Sequence, residues 1–232
     1  MPLEQADDMS GVLHELKDGI AHWRSALPWP CDFHNSEYKR WAEWNSREII
    51  TSETWEKFLC PELQKWKALR GIPGGNKNFF NERFEANQTS INAAWRILRA
   101  GCKDIDITGV DISAPQSEVH AFYTAVAKIK DTKNHSPVFA SKFCHFMAPN
   151  IFPVIDNKAI GLGSQSYETY FAEVHRKWSA INVQVQGELI AELTSRIERC
   201  GASLYEKYPF VNKIVELCSI GRRNPTTSTD SS

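Results

Sequence analysis

Three residues able to move protons or hold charge lie close together in the middle of this chain: Lys142, His145 and Asp156. Lys142 and His145 are three apart, so a helix would place both on one face. Asp156 ends the apolar run Phe152-Pro153-Val154-Ile155 and precedes Asn157-Lys158. A carboxylate with such a lead-in has two readings. It caps the next helix, a role worth ~0.5–2 kcal/mol, or it is held still to do chemistry. Lys142 and His145 either line the same site or are solvated, as lysines usually are.

The elements that must position these groups are helical. Val12, Leu13, Leu16, Ile20 and Trp23 form a first helical stripe. The prolines of LPWPC, residues 27–31, break it. Ser36 is placed to cap a second helix through Tyr38, Trp41 and Trp44, and Thr51-Ser52 a third that Pro61 kinks or splits. Residues 71–81, GIPGGNKNFFN, read as a loop, and 88–100 as a helix stopped by Gly101. Residues 104–114 alternate polar and apolar, the pattern of a strand or of an extended surface loop. Pro115-Gln116-Ser117-Glu118 starts another helix, and a further one spans 137–148 with Ser136 as N-cap and Pro137 in its first turn. Three more cover 165–178, 183–200 and 209–220. The expected fold class is mainly α. It is one domain of two helical lobes, roughly 1–115 with the C-terminal helices and 116–180, followed by a polar tail from 221 to 232.

The order apolar helix, short apolar connection, aspartate at the front of a helix resembles the helix-hairpin-helix DNA glycosylase superfamily. That family carries a "V-D-T-x-V-x-R"-like segment, and Val154-Ile155-Asp156-Asn157-Lys158-Ala159-Ile160 stands in its place. Phe139 to Phe146 matches the preceding helix, and the likeness covers residues 116–165. It implies a DNA partner with an extrahelical modified base, no cofactor, and Asp156 as the catalytic carboxylate with Lys142 beside it. Such a carboxylate stabilises an oxocarbenium-like sugar and activates water. The sequence departs from the family twice. Lys133-Asn134-His135-Ser136-Pro137 has no glycine where the hairpin carries its own, and GIPGG at 71–75 lies far too early. Phosphate would then be held by Lys133, Asn134 and Ser136. The nucleophilic lysine of strand-nicking members falls near Val138, one turn before Lys142, which implies a monofunctional enzyme using water. The unusual hairpin suggests a specialised substrate, hypermodified phage DNA being one such class.

Further contacts follow from this likeness. Phe79 and Phe80 are candidates to wedge into the gap left by a flipped base, or to anchor their loop on the core. Lys77, Lys128, Lys130, Asn157, Lys158, Arg222 and Arg223 are candidate backbone contacts, the last two alternatively complementing a helix dipole. Trp29, Phe33, Trp41, Trp44 and His145 are candidates to stack an extruded base, although tryptophans in helical proteins are more often core.

Composition sets the outer bounds. The chain has 232 residues and a net charge of −1. Residues 1–64 carry 6 basic and 12 acidic side chains, residues 65–145 carry 12 and 7, and the remainder 9 and 9. A basic middle third permits an anionic ligand, and chance permits it as well. Six cysteines without a CxxC pair read as small buried hydrophobes. Cys31 and His34 lack two further zinc ligands. HExxH and GxxxxGK[ST] are both missing. The chain is expected to be a cytoplasmic monomer without a membrane span. The competing reading is a non-catalytic helical module that binds nucleic acid or protein, in which Asp156 is a cap.

Overall fold

In a computed structural model, residues 3–27, 29–70, 77–102, 105–111, 117–130, 137–156 and 166–225 are described. They form a mainly α structure, with helices α1 (Leu3–Ala26), α2 (Asn35–Asn45), α3 (Ser52–Thr54), α4 (Cys60–Lys65) and α5 (Lys77–Gly101). These are followed by α6 (Glu118–Ala127), α7 (Val138–Met147), α8 (Tyr167–Ser179), α9 (Val183–Glu198) and α10 (Phe210–Arg223). None of the described helices is long and apolar enough to cross a membrane.

The centre of the fold is α7. Its sequence VFASKFCHFM is apolar round most of its circumference, and every residue from Phe139 to Met147 is buried, Ser141, Lys142 and His145 included. Helices α2, α4 and α6 pack around it. The apolar stripe of α5 covers α6, burying Phe80, Phe84, Ile91, Trp95 and Leu98. One continuous apolar core runs from Leu16 to Ile220.

The first and last of these helices, α1 and α10, meet at backbone contact. A Cβ on Gly19 would lie 1.9 Å from the carbonyl oxygen of Leu217, and one on Gly221 would lie 1.9 Å from that of Glu15. Only glycine lets the two backbones approach so closely. Arg222 closes the crossing with two 2.7 Å hydrogen bonds to Glu15.

Pro61 divides the third helical stretch. It lacks the N–H that an α-helix would use and would clash with the carbonyl four residues back. The turn before it, Trp55–Leu59, is widened to π-helix, and the Cys60 N–H reaches the Trp55 carbonyl. Thr51 and Thr54 form the expected cap at its start.

Several sequence expectations are corrected. Residues 77–81 are helical, not loop, because Phe80 and Phe84 one turn apart bury against Phe139 and Trp55. The described part of 104–114 is no strand but a 3₁₀ turn, Ile107–Gly109, whose Ile107 N–H donates to the Asn150 carbonyl at 3.0 Å. Ser36 does not cap α2: the Asp32 carboxylate does, accepting from the Ser36 N–H at 2.9 Å. Residues 221–223 continue α10 rather than start a tail. Cys31 is exposed and Cys200 half-buried, whereas Cys60, Cys102, Cys144 and Cys218 are buried as expected.

Candidate functional site

The lead-in to Asp156 is an extended segment inside the protein. Residues 151–155 are all buried, so each of their backbone polar groups needs a partner. The Phe152 N–H donates back to the Ala148 carbonyl at 3.0 Å. The Phe152 carbonyl is bound by His145 Nδ1 at 2.7 Å. Pro153 has no N–H to satisfy, and its carbonyl accepts from the Tyr167 hydroxyl at 3.0 Å. The Ile155 N–H donates to Ser141 Oγ at 3.3 Å. One turn back, the Pro149 carbonyl accepts from Asn212 Nδ2 at 2.7 Å. Side chains of α7, α8 and α10 thus hold a peptide that pairs with no neighbouring strand among the described residues. Its last residue is Asp156.

The Asp156 carboxylate is 24% exposed and lies 3.4 Å from the Lys142 ammonium, itself only 5% exposed. Of the two readings of Lys142, lining the site or solvated, the solvated one does not hold: the side chain is buried with most of α7. Its Nζ also donates to the Trp66 carbonyl at 2.7 Å. Burial lowers the pKa of Lys142, and the neighbouring Asp156 charge acts against that shift. Lys130 holds the next carbonyls, Ala68 at 3.0 Å and Arg70 at 2.8 Å. Two ammonium groups therefore fix the chain at 66–70, and only Lys142 also touches the carboxylate.

Trp66 is half-buried and is the ring around which the neighbouring groups gather. The His34 ring lies 4.5 Å from it, Trp41 5.6 Å, His145 6.3 Å, and the Lys142 ammonium 6.0 Å. His34 sits in left-handed backbone (φ 67°), an uncommon conformation for a side chain other than glycine. Its Nδ1 is buried and has no partner among the described residues. Burial, then the charge of Lys213, pushes its pKa well below the usual histidine value. Lys213 pairs with Glu216 at 2.6 Å, both largely buried, and its ammonium lies 4.8 Å over Trp23. The neighbourhood contains two buried lysines, each with its own carboxylate.

The sequence-derived candidates divide sharply. Asp156 and Lys142 come together, and His145 and Trp41 join them only through Trp66. His145 has both ring nitrogens engaged, by Phe152 and, at 3.0 Å, by the Tyr38 hydroxyl. Trp29 packs on Trp23 at 4.4 Å and reaches His34 at 6.5 Å. Phe33 is fully buried beside Trp23. Trp44 lies apart, stacked on Phe58 with the Arg47 guanidinium over it. Phe79 and Phe80 are on α5, and Phe80 stacks on Phe139 at 5.6 Å, so neither belongs to a loop. Arg222 is paired with Glu15, while Arg223 is exposed at the end of α10. The side chain of Lys77, and Lys133, Asn134, Ser136, Asn157 and Lys158 altogether, lie outside the described residues, as does the helix that Asp156 was expected to cap.

Sequence reasoning did not place Trp66, His34, Lys213 or Glu216 here, and weighed His34 only as a zinc ligand. The last two had a signal: charged residues three apart inside the apolar run VNKIVELCSI. Trp66 and His34 had none, since only folding brings residues 34, 66 and 142 together. A cleft of about 340 Å³ elsewhere, between Trp95, Arg99, Asn150 and Tyr205, contains none of the candidate side chains. Among the described residues no three His, Cys, Asp or Glu gather as a metal site. Comparison with protein-family models, curated proteins and solved structures finds no match.

Proposed function

We propose that this protein is a DNA N-glycosylase of helix-hairpin-helix type that releases a damaged or modified base by hydrolysis. The observation that carries the reading is the Asp156–Lys142 pair: a partly exposed carboxylate at the end of a buried peptide braced by side chains, 3.4 Å from a buried ammonium. In the reaction the C1′–N bond breaks and its electron pair leaves with the base. Positive charge builds on the sugar, and the Asp156 carboxylate stabilises it. Water attacks C1′, Asp156 takes the proton, and the departing base is protonated by solvent. Lys142 is a positioning residue here, holding the carboxylate from the side away from solvent. Trp66, half-buried beside the pair, is the aromatic side chain against which an extruded base would pack. The basic 65–145 segment suits the phosphate backbone.

The test is abasic-site formation on duplex and single-stranded DNA carrying a panel of modified bases, phage-type hypermodified bases included. Wild type should release at least one base, and Asp156→Asn should lose ~10²–10⁴-fold of that rate with unchanged melting. Full activity in Asp156→Asn sinks the catalytic assignment. A borohydride-trapped DNA adduct on Lys142 overturns water as the nucleophile. Salt-dependent DNA binding with no base release across the panel supports the binding module instead.

A further inference from the structure

Two of the six cysteines are neither buried nor alone. Cys31 is exposed in the turn before α2, and Cys200 is half-buried just after α9. The Cys200 thiol lies 3.1 Å from the Cys31 carbonyl oxygen, although 169 positions separate them. Burial, and after it the nearness of the Cys31 side chain, raises the pKa of Cys200. The contact is fixed by its surroundings. Asn35 Nδ2 donates to the Ser203 carbonyl at 3.0 Å, and Asn35 Oδ1 accepts from the Tyr205 N–H at 2.8 Å. The Tyr208 hydroxyl donates to the Phe33 carbonyl at 3.0 Å. Segment 31–35 is therefore stapled to segment 200–208 whatever the state of the thiols.

We propose that Cys31 and Cys200 are a modification site at which a hydroperoxide forms a reversible disulfide. The exposed Cys31 thiol attacks the peroxide, giving the Cys31 sulfenic acid and the alcohol (water, from hydrogen peroxide). The Cys200 thiol then displaces water from that sulfur, and the S–S bond forms. Two thiols are oxidised and one O–O bond is reduced. A dithiol reverses the step. Burial shields Cys60, Cys102, Cys144 and Cys218 in the folded chain. The bond would add a covalent link to a turn that these hydrogen bonds already hold, the one that carries His34 against Trp66. This inference is independent of the proposed function.

The experiment treats the full, folded chain with hydrogen peroxide, then counts thiols after denaturation and maps peptides without reduction. The expected result is a fall from six thiols to four, with a Cys31–Cys200 cross-linked peptide lighter by two hydrogens and lost on adding dithiothreitol. Cys200→Ser should give no cross-link and should leave a Cys31 sulfenic acid that dimedone traps. The proposal is overturned if the wild-type map shows only oxygen adducts, if the cross-link joins other cysteines, or if Cys200→Ser and wild type give the same products.

Discussion

His145 and Phe152 are joined by a 2.7 Å hydrogen bond between Nδ1 and a backbone carbonyl, inside the protein. A carbonyl can only accept, so Nδ1 carries the proton and Nε2 accepts from the Tyr38 hydroxyl. The imidazole is thereby fixed as a neutral tautomer that ties α7 to the peptide leading to Asp156. Burial pushes its pKa down to about 3.

This has a consequence for stability against pH. The folded-state pKa lies below the unfolded value, so the unfolded chain takes up the proton first. The stability is fully present above about pH 6.5 and is lost as pH falls toward 3. His34 is shifted in the same direction. For His145 the loss should approach roughly 1.4 kcal/mol per pH unit below the unfolded pKa, and His34 adds to it in the same direction. Urea unfolding between about pH 6.5 and 5.5, above most of the range where carboxylates protonate, should show stability falling with pH, and His145→Gln should reduce that slope. An unchanged slope in that variant would contradict the assignment.

Lys142→Met separates the electrostatic role of the ammonium from its bulk. The substitution removes a buried charge but leaves the Trp66 carbonyl without its donor. The two effects oppose, so stability should change by less than about 2 kcal/mol. Base release should fall about tenfold or more as Asp156 loses its tether. Lys142→Arg should not restore it, because a planar guanidinium does not fit where a compact ammonium is enclosed. Denaturant midpoints and base-release rates measured together would show both effects.

Ser141→Ala should loosen the peptide next to Asp156. Ser141 Oγ accepts the buried Ile155 N–H, and its loss costs about 1–3 kcal/mol. Amide exchange at Ile155 should accelerate, with smaller changes across α9. Equal protection at Ile155 in the variant and wild type would show that the segment does not depend on this bond.

The glycines predict substitutions of opposite sign. Gly221→Ala places a Cβ against the Glu15 backbone, which cannot move aside as a side chain could. A loss of about 1–3 kcal/mol or more is expected. Gly187→Ala, on the exposed side of α9 with nothing within 4 Å, should instead stabilise by about 0.5–1 kcal/mol. Thermal melts of both variants provide the check.

Where apolar spacing was regular, the helices could be read directly, as with Leu16, Ile20 and Trp23 in α1 and the continuous apolar run of α7. Local composition misled where tertiary burial overrode it. The Asn- and Lys-rich start of α5 looks like a loop until Phe80 finds Phe139. The alternation at 104–114 looks like a strand, but a strand needs a partner along its length, and Ile107 finds a single carbonyl. Asp156 stood out by its lead-in, and Lys142 by its helix. Their contact did not, because it depends on the turn at 148–151 bringing the chain back along α7. The gathering of His34 and Trp66 is less legible still, since each comes from a separate helix terminus with no shared pattern.

The crossing of α1 and α10 joins residues 207 positions apart. At synthesis rates of about 5–20 residues per second, roughly 10–40 s pass between the appearance of one surface and the other. Through that interval the face of α1 bearing Leu16 and Ile20 has no final cover. Nascent chains of this protein should therefore be clients of holdase chaperones until α10 clears the ribosome, and chains stalled before Gly221 should aggregate rather than accumulate as folded intermediates.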